Sequence, residues 1–244
     1  MVSALKKVRN EHPAYGVRSM IEALPERLKP SYGKGYIICR EYGLLQKRRK
    51  PHGITKANPK ALPAEDLVKG DFKSETPNTK WLTDITEHRT REGKVYLCAI
   101  KDVFSNRIVG WSIDSRMKAR LVVAAIEMAV ARRDGDVAGC ILHSDRGSQF
   151  RARKVHRTLT RHQMVGSMGQ VGSAGDNAAM ESFFALLQKN VLDRQSWATR
   201  DELRIEIVTW IERTYHRRRR QAALGRLTPI EYETIMTTPA AQAA

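Results

Sequence analysis

Residues 81–114 constrain the fold more than any other part of the chain. Three runs, 81–88, 94–103 and 107–114, are rich in β-branched and aromatic side chains. The connections between them, 89–93 and 105–106, are short enough for antiparallel hairpins. The period then changes. Residues 118–133 place Leu121, Val122, Ala125, Ile126, Met128 and Ala129 on one broad apolar face, the signature of a helix packed on a core. A short apolar run over 139–143 ends at Ser144-Asp145, and a helix over 151–162 and a short strand over 164–168 follow. A glycine-rich loop over 169–175 then leads into a helix over 177–191, and the last helix runs from about 199 to 216. The order β-β-β-α-β-α-β-α-α predicts an α/β layer architecture, with a mixed sheet flanked by helices.

The 80 residues before this block read differently. Three short helical signals, 2–10, 17–24 and 34–42, are separated by His12-Pro13, Pro25, Pro30, Gly33 and Gly35. They predict a small, basic, helix-turn-helix-like region over 1–46. Residues 47–78 read as a linker that opens on Lys47-Arg48-Arg49-Lys50 and contains Pro51, Pro59, Pro63 and Pro77. Residues 79–236 are read as the core with a C-terminal helix, and 237–244 as a flexible tail.

Charge narrows the class of partner. The chain carries a formal +17, of which +9 falls within residues 1–70. Such an excess repels itself in a compact fold and signals a polyanion. No run of about 18 apolar residues and no signal-peptide pattern occurs, so nucleic acid is favoured over membrane. Cys39, Cys98 and Cys140 form no CxxC pair and show no zinc-like spacing with the histidines, which predicts neither structural zinc nor a disulfide framework. A reducing cytoplasm fits this usage.

Three acids carry the candidate chemistry. Asp84 lies in mid-strand, in Trp81-Leu82-Thr83-Asp84-Ile85-Thr86. Alternation puts Leu82, Asp84 and Thr86 on one face and Trp81, Thr83 and Ile85 on the other. An acid there is costly unless it is ionised at an edge, paired, or bound to a cation. Asp145 ends the fourth strand, at the carboxyl edge where open α/β sheets build sites. Glu181 opens a helix entered through Asp176-Asn177, a plausible cap pair. Three converging carboxylates repel one another and raise their pKa values unless divalent cations sit among them. Hard oxygen donors select Mg²⁺ or Mn²⁺, and two such ions suit phosphodiester cleavage and strand transfer. Each acid also has a plainer reading: Asp84 paired with an arginine, Asp145 capping a turn, Glu181 on a surface helix.

The ordered combination of segments resembles the OrfB-type transposases of the IS-three insertion-sequence family, within the retroviral integrase superfamily. The matching pieces are Trp81-Leu82-Thr83-Asp84-Ile85-Thr86, Phe104-Ser105-Asn106-Arg107-Ile108-Val109-Gly110-Trp111 and the stretch 143–150. Further on come Asp176-Asn177-Ala178, Glu181-Ser182-Phe183-Phe184 and Leu224-Gly225-Arg226-Leu227-Thr228-Pro229. The resemblance runs from about residue 12 to 234. It implies an RNase H-like core on a five-stranded mixed sheet and a two-metal DDE mechanism with Asp84, Asp145 and Glu181 as catalytic and metal-binding triad. It further implies work on element ends and target DNA, an upstream partner-frame protein, homo-oligomers on paired ends, and a prokaryotic, nucleoid-associated setting. Asp102 and Asp176 are read as structural.

The expected DNA contacts are Lys47, Arg48, Arg49, Lys50, Arg146, Gln188, Lys189, Arg217, Arg218, Arg219 and Arg220. Gln188, Ala185 and Glu181 share a helix face by i, i+4, i+7 spacing, and the family usually carries Lys at the seventh position after the Glu. Gln brings no charge there, which implies weaker or altered end binding. Tyr215-His216 and Gln221-Ala222 replace the usual Tyr-Asn and His-Ser. His143, Trp111, Phe183 and Phe184 are read as packing residues. A decayed or domesticated DNA-binding protein and an RNase H-like nuclease acting on hybrids are the alternatives.

Overall fold

The computed structural model of the chain describes residues 1–46, 65–169 and 178–237. Lys47, Arg48, Arg49 and Lys50, most of the glycine-rich loop, the Asp176-Asn177 cap pair and the tail from 238 on lie outside the described residues.

The three hairpin-spaced runs form β1 (Lys80–Thr90), β2 (Gly93–Asp102) and β3 (Ile108–Asp114). The helix α4 (Ala119–Arg132), β4 (Ile141–Ser144), α5 (Arg153–Arg161) and β5 (Val165–Met168) follow. They build one sheet of order β3-β2-β1-β4-β5. β1–β2 and β2–β3 are antiparallel, whereas β1–β4 and β4–β5 are parallel. This is the mixed five-stranded sheet flanked by helices that the element order predicts.

One face of the sheet is the apolar one. Trp81, Ile85, Cys98 and Ile100 are buried there against Leu121, Val122, Ala125, Ile126 and Ala129 of α4 and against Val155 and Leu159 of α5. Gly110 lets β3 and α4 approach: a Cβ at 110 would lie 2.3 Å from the Ala125 carbonyl oxygen. Cys98 and Cys140 are fully buried in this core, and the three cysteines are free thiols.

The later helices keep their expected extents but change type along the way. α6 (Ala178–Leu187) passes into a π turn over Gln188–Leu192, and α7 (Arg200–Thr209) into another over Trp210–Tyr215. Asn190 Nδ2 takes the Leu186 carbonyl at 2.8 Å, the acceptor an i→i+4 bond would use, so the ladder widens there. A further helix, α8 (Pro229–Thr237), was not anticipated. Its start is a capping box: Glu231 N–H donates to Thr228 Oγ1 and Thr228 N–H to Glu231 Oε2, with Pro229 at the first helical position.

The chain divides into two compact units, Met1–Gly53 with Ala185–Gln195, and Ile54–Phe184 with Ser196–Ala244. In the smaller unit, α1 (Val2–Glu11), α2 (Val17–Glu22) and α3 (Tyr32–Glu41) appear where the sequence signals stand. They enclose Leu5, Val8, Met20, Leu24, Cys39 and Leu44. Arg9 ties the unit together by donating to the carbonyls of Leu44, Pro13 and Tyr15 at 2.8–2.9 Å.

Candidate active site

The larger unit holds all three candidate acids. The parallel register pairs Lys80 with Ile141, Trp81 with Leu142 and Leu82 with His143. β4 thus lies beside β1 and ends one residue before Asp145, close enough for the charge of Asp145 to act on Asp84. Asp145 lies just past the last residue of β4, in a tight turn. Gly147 N–H donates to Asp145 Oδ1 at 2.9 Å, and a Cβ at 147 would fall 2.9 Å from that same oxygen. Glu181 sits in the first turn of α6 and is exposed.

Asp84 accepts one hydrogen bond, from Ile85 N–H at 2.7 Å, and has no ion pair among the described residues. Burial pushes its carboxyl up to about 7; the Ile85 bond opposes this, and the charges of Asp145 and Glu181 push it further. The three acids are therefore electrostatic neighbours. They do not form a closed cage: among the described residues, no three His, Cys, Asp or Glu side chains stand close enough together to hold a metal ion.

A buried lysine shares this face. Lys101 pairs with Leu82 and so points to the same side of the sheet as Asp84, which pairs with Ala99. A register shift at Ile100/Lys101 marks a bulge where β3 offers one extra residue. Lys101 is 5 % exposed and donates to the Ala179 carbonyl at 3.2 Å, two residues before Glu181. Burial lowers its ammonium pKa to about 8. The sequence reading did not single it out. An apolar strand ending in Lys101-Asp102 was the available signal, but only the register tells which face each residue takes.

Asp102, facing the other way, is structural as expected. It is fully buried, accepts from Asn78 and Phe104 N–H at 3.0 Å and from Trp81 Nε1 at 3.4 Å, and pairs with Arg133 at 3.0 Å. Arg133 also reaches Glu233 of α8, which takes Arg107 at 2.6 Å and Ser105 Oγ at 2.6 Å. His143 is buried, with Nδ1 2.9 Å from Ser167 Oγ and its ring edge-on to Phe72. Phe183 is core, stacked edge-on against Tyr215, while Phe184 is only half-buried. Trp111 departs from its expected place in the core. It sits half-buried on the edge strand β3, because its Nε1 donates to Glu212 at 3.0 Å.

The expected DNA contacts are dispersed. Arg146 Nε donates to the Gly169 carbonyl at 2.7 Å. Arg217 and Arg218 are exposed, Arg219 is half-buried, and Arg220 is held by the Arg226 carbonyl at 3.1 Å and by Glu231. In the smaller unit, Gln188 donates to Asp193 at 2.6 Å and Lys189 to Gln46 at 2.7 Å. No helix among the described residues is long and apolar enough to cross a membrane.

Known proteins share this arrangement. The integrase core domain family matches residues 74–174, and a second integrase core domain description matches 162–229. The transposase InsF of insertion sequence IS3A from Escherichia coli K12 is 36 % identical over 195 residues, covering 80 % of this chain and 67 % of that protein. The transposase of IS629 from Shigella sonnei is 34 % identical over 232 residues, covering 94 % and 77 %. A chain of the simian T-cell lymphotropic virus intasome, solved with PP2A regulatory subunit B56 gamma, has the same fold, with a TM-score of 0.52 at 14 % identity over 97 % of this chain and 75 % of that one. With its RNase H-like sheet and these relatives, the chain belongs to the IS3 insertion-sequence transposases, integrase-core enzymes that cut DNA and join it.

Proposed function

We propose that Asp84, Asp145 and Glu181 are the catalytic carboxylates with which this transposase cuts DNA at element ends and joins the freed 3′-hydroxyl to a target. One observation carries the reading. Asp84 is a half-buried acid with no ion pair among the described residues, and burial and the charges of the other two push its carboxyl up to about 7. A fold that leaves such repulsion uncompensated is suited to a positive charge supplied from outside.

The donor chemistry, three carboxylates and no nitrogen or sulfur ligand, fits Mg²⁺ or Mn²⁺, with two ions expected. Asp84 would hold them from β1 and Asp145 from the turn after β4, and Glu181 would join from the first turn of α6. Such ions supply acidity to the attacking hydroxyl and stabilise charge on the leaving oxygen. The residues' own part is placement. β1 and the turn after β4 carry two of the acids, while Lys101 anchors the turn of α6 that carries the third. In the first step a water oxygen bonds to phosphorus and the 3′-oxygen leaves with a proton. In the second that 3′-hydroxyl attacks a target phosphodiester and another 3′-oxygen leaves. One phosphodiester is exchanged for another, so no external energy source is required.

The DNA contacts named from the sequence belong to this proposal, with exposed Arg217 and Arg218 the best placed among the described ones. So do a partner-frame protein, assembly on paired ends, and action in the bacterial cytoplasm at the nucleoid. In the deciding experiment, Asp84→Asn protein is assayed with Mg²⁺ on duplexes bearing the element ends. Nicking and joining are expected to fall by at least about 1000-fold, consistent with losses seen when an essential catalytic group is removed, while duplex binding persists. Full strand transfer by that variant overturns the assignment.

A further inference from the structure

Several arginines of the larger unit are paired with acids. Arg107 and Arg133 meet Glu233, Arg120 meets Asp114, Arg132 meets Glu212, and Arg161 meets Glu127. The outer face of α5 is treated differently. This nine-residue helix carries Arg153, Lys154, Arg157 and Arg161 and no acid. At 100° per residue, Arg153, Arg157, Arg161 and Lys154 fall within an arc of about 100°. Val155, Thr158 and Leu159 take the opposite side and are buried. Arg153, Lys154 and Arg157 are exposed, and among the described residues their side chains make no hydrogen bond or ion pair.

Two physical points make this more than solvated charge. First, Arg153 and Lys154 stand in the first turn, where the helix dipole disfavours cations, and no acid there offsets them. A bound anion would reverse that penalty. Second, the strip begins beside the candidate site. β4 ends at the Asp145 turn, which folds back through Phe150 N–H and Arg151 N–H to the Gly147 carbonyl at 3.1 and 3.4 Å. α5 therefore starts at the carboxyl edge of the sheet, the edge that carries Asp145, and leads away from it with Arg153 and Arg157 about 6 Å apart along the axis.

We infer that the Arg153–Lys154–Arg157 strip of α5 is a track for the phosphate backbone of duplex DNA leading to the carboxylate site. Cations spaced along an exposed helix suit binding through the phosphate backbone, which is largely independent of sequence. Element-end duplex and target duplex offer the same chemistry to this surface. The inference builds on the DNA-joining function but not on the identity of the catalytic acids, so it is tested by binding alone, in EDTA.

The experiment compares wild-type protein, the triple variant Arg153→Gln/Lys154→Gln/Arg157→Gln, and the charge-keeping pair Arg153→Lys/Arg157→Lys. Affinity is measured for an end-bearing duplex and for an unrelated duplex across a salt series. The triple variant should lose about 10- to 100-fold at 0.15 M salt, with a log–log salt slope shallower by about 2 to 3. The Lys pair should stay near wild type, and melting temperatures should match because the side chains are exposed. Equal loss on both duplexes assigns a general track; loss confined to one assigns the track to that duplex. Wild-type affinity and slope in the triple variant, on both duplexes, overturn the inference. Wild-type protein that binds neither duplex overturns it together with the DNA-joining reading, whereas a catalytically intact Asp84→Asn protein would leave it standing.

Discussion

Asp84 and Asp102 stand on adjacent strands of one sheet, and the fold treats them in opposite ways. Burial raises both. Around Asp102 the chain answers with two backbone N–H donors, an indole N–H and Arg133, itself shared with Glu233. Around Asp84 it answers with one N–H and adds two more acids nearby. The contrast separates a buried charge that holds helices together from one kept ready for a ligand. The first is satisfied within the chain; the second is satisfied only when something binds.

Substitutions at the two places should therefore cross. Arg133→Met leaves Asp102 buried without its cation and Glu233 with Arg107 alone, and the expected cost is about 3–5 kcal/mol of stability. Denaturant unfolding reads this directly. A loss under about 1 kcal/mol would mean that the network adds little and the contrast is false. Asp84→Asn should do the reverse, leaving the fold intact while removing the chemistry.

The pH dependence of metal-free protein sharpens the same point. Asp84 is held at about 7 against a usual 3.8, so the folded state binds its proton more tightly than the unfolded state does. Ionised Asp84 then weakens the fold by on the order of 4 kcal/mol above pH 7, and the penalty fades as pH falls from 7 towards 3.8. In EDTA, Asp84→Asn should be more stable than wild type, and by more at pH 8 than at pH 5. A gap that stays constant across that range would show that the acid is under no strain.

A smaller effect of opposite sign is expected at His216, where the family usually carries Asn. Its Nε2 accepts from Ile108 N–H at 3.1 Å, which leaves the proton on Nδ1, facing Glu212 at 3.3 Å. Burial lowers its pKa, against the pull of Glu212 and with the help of Arg107 and Arg132. Protonation would break the Ile108 bond, so His216 favours the fold at neutral pH, and that contribution is lost as pH falls below about 6.5. His216→Asn should flatten this acid limb without touching the limb due to Asp84; an unchanged acid limb would remove His216 from the account.

Much of this was legible in the residues. Hairpin spacing over 81–114 and the later βαβ alternation announce the mixed sheet, and Asp84 reads as an acid out of place in a strand. The misses have local causes. Asn190 takes a helix carbonyl, so the helical run expected to 191 reaches Leu192 but changes to π geometry after Leu187. The Thr228-Pro229-Ile230-Glu231 start of α8 was a readable capping box, taken only as a closing motif. Trp111 looks like core by type, yet an edge strand and a carboxylate partner keep it half outside.

Asp84 and Lys101 mark the boundary between the two kinds of information. Residue type and alternation alone place an acid in mid-strand, a second at a strand end and a third at a helix start, because backbone period decides which residues share a face. Which strands adjoin, and in what register, depends on contacts distant in sequence. Only the tertiary structure set Asp84 beside Asp145 and turned Lys101 towards α6 and Asp102 towards Arg133. Proximity between residues tens of positions apart is decided by packing of the whole core, and a pKa near 7 for Asp84 follows from that packing rather than from its neighbours in the chain.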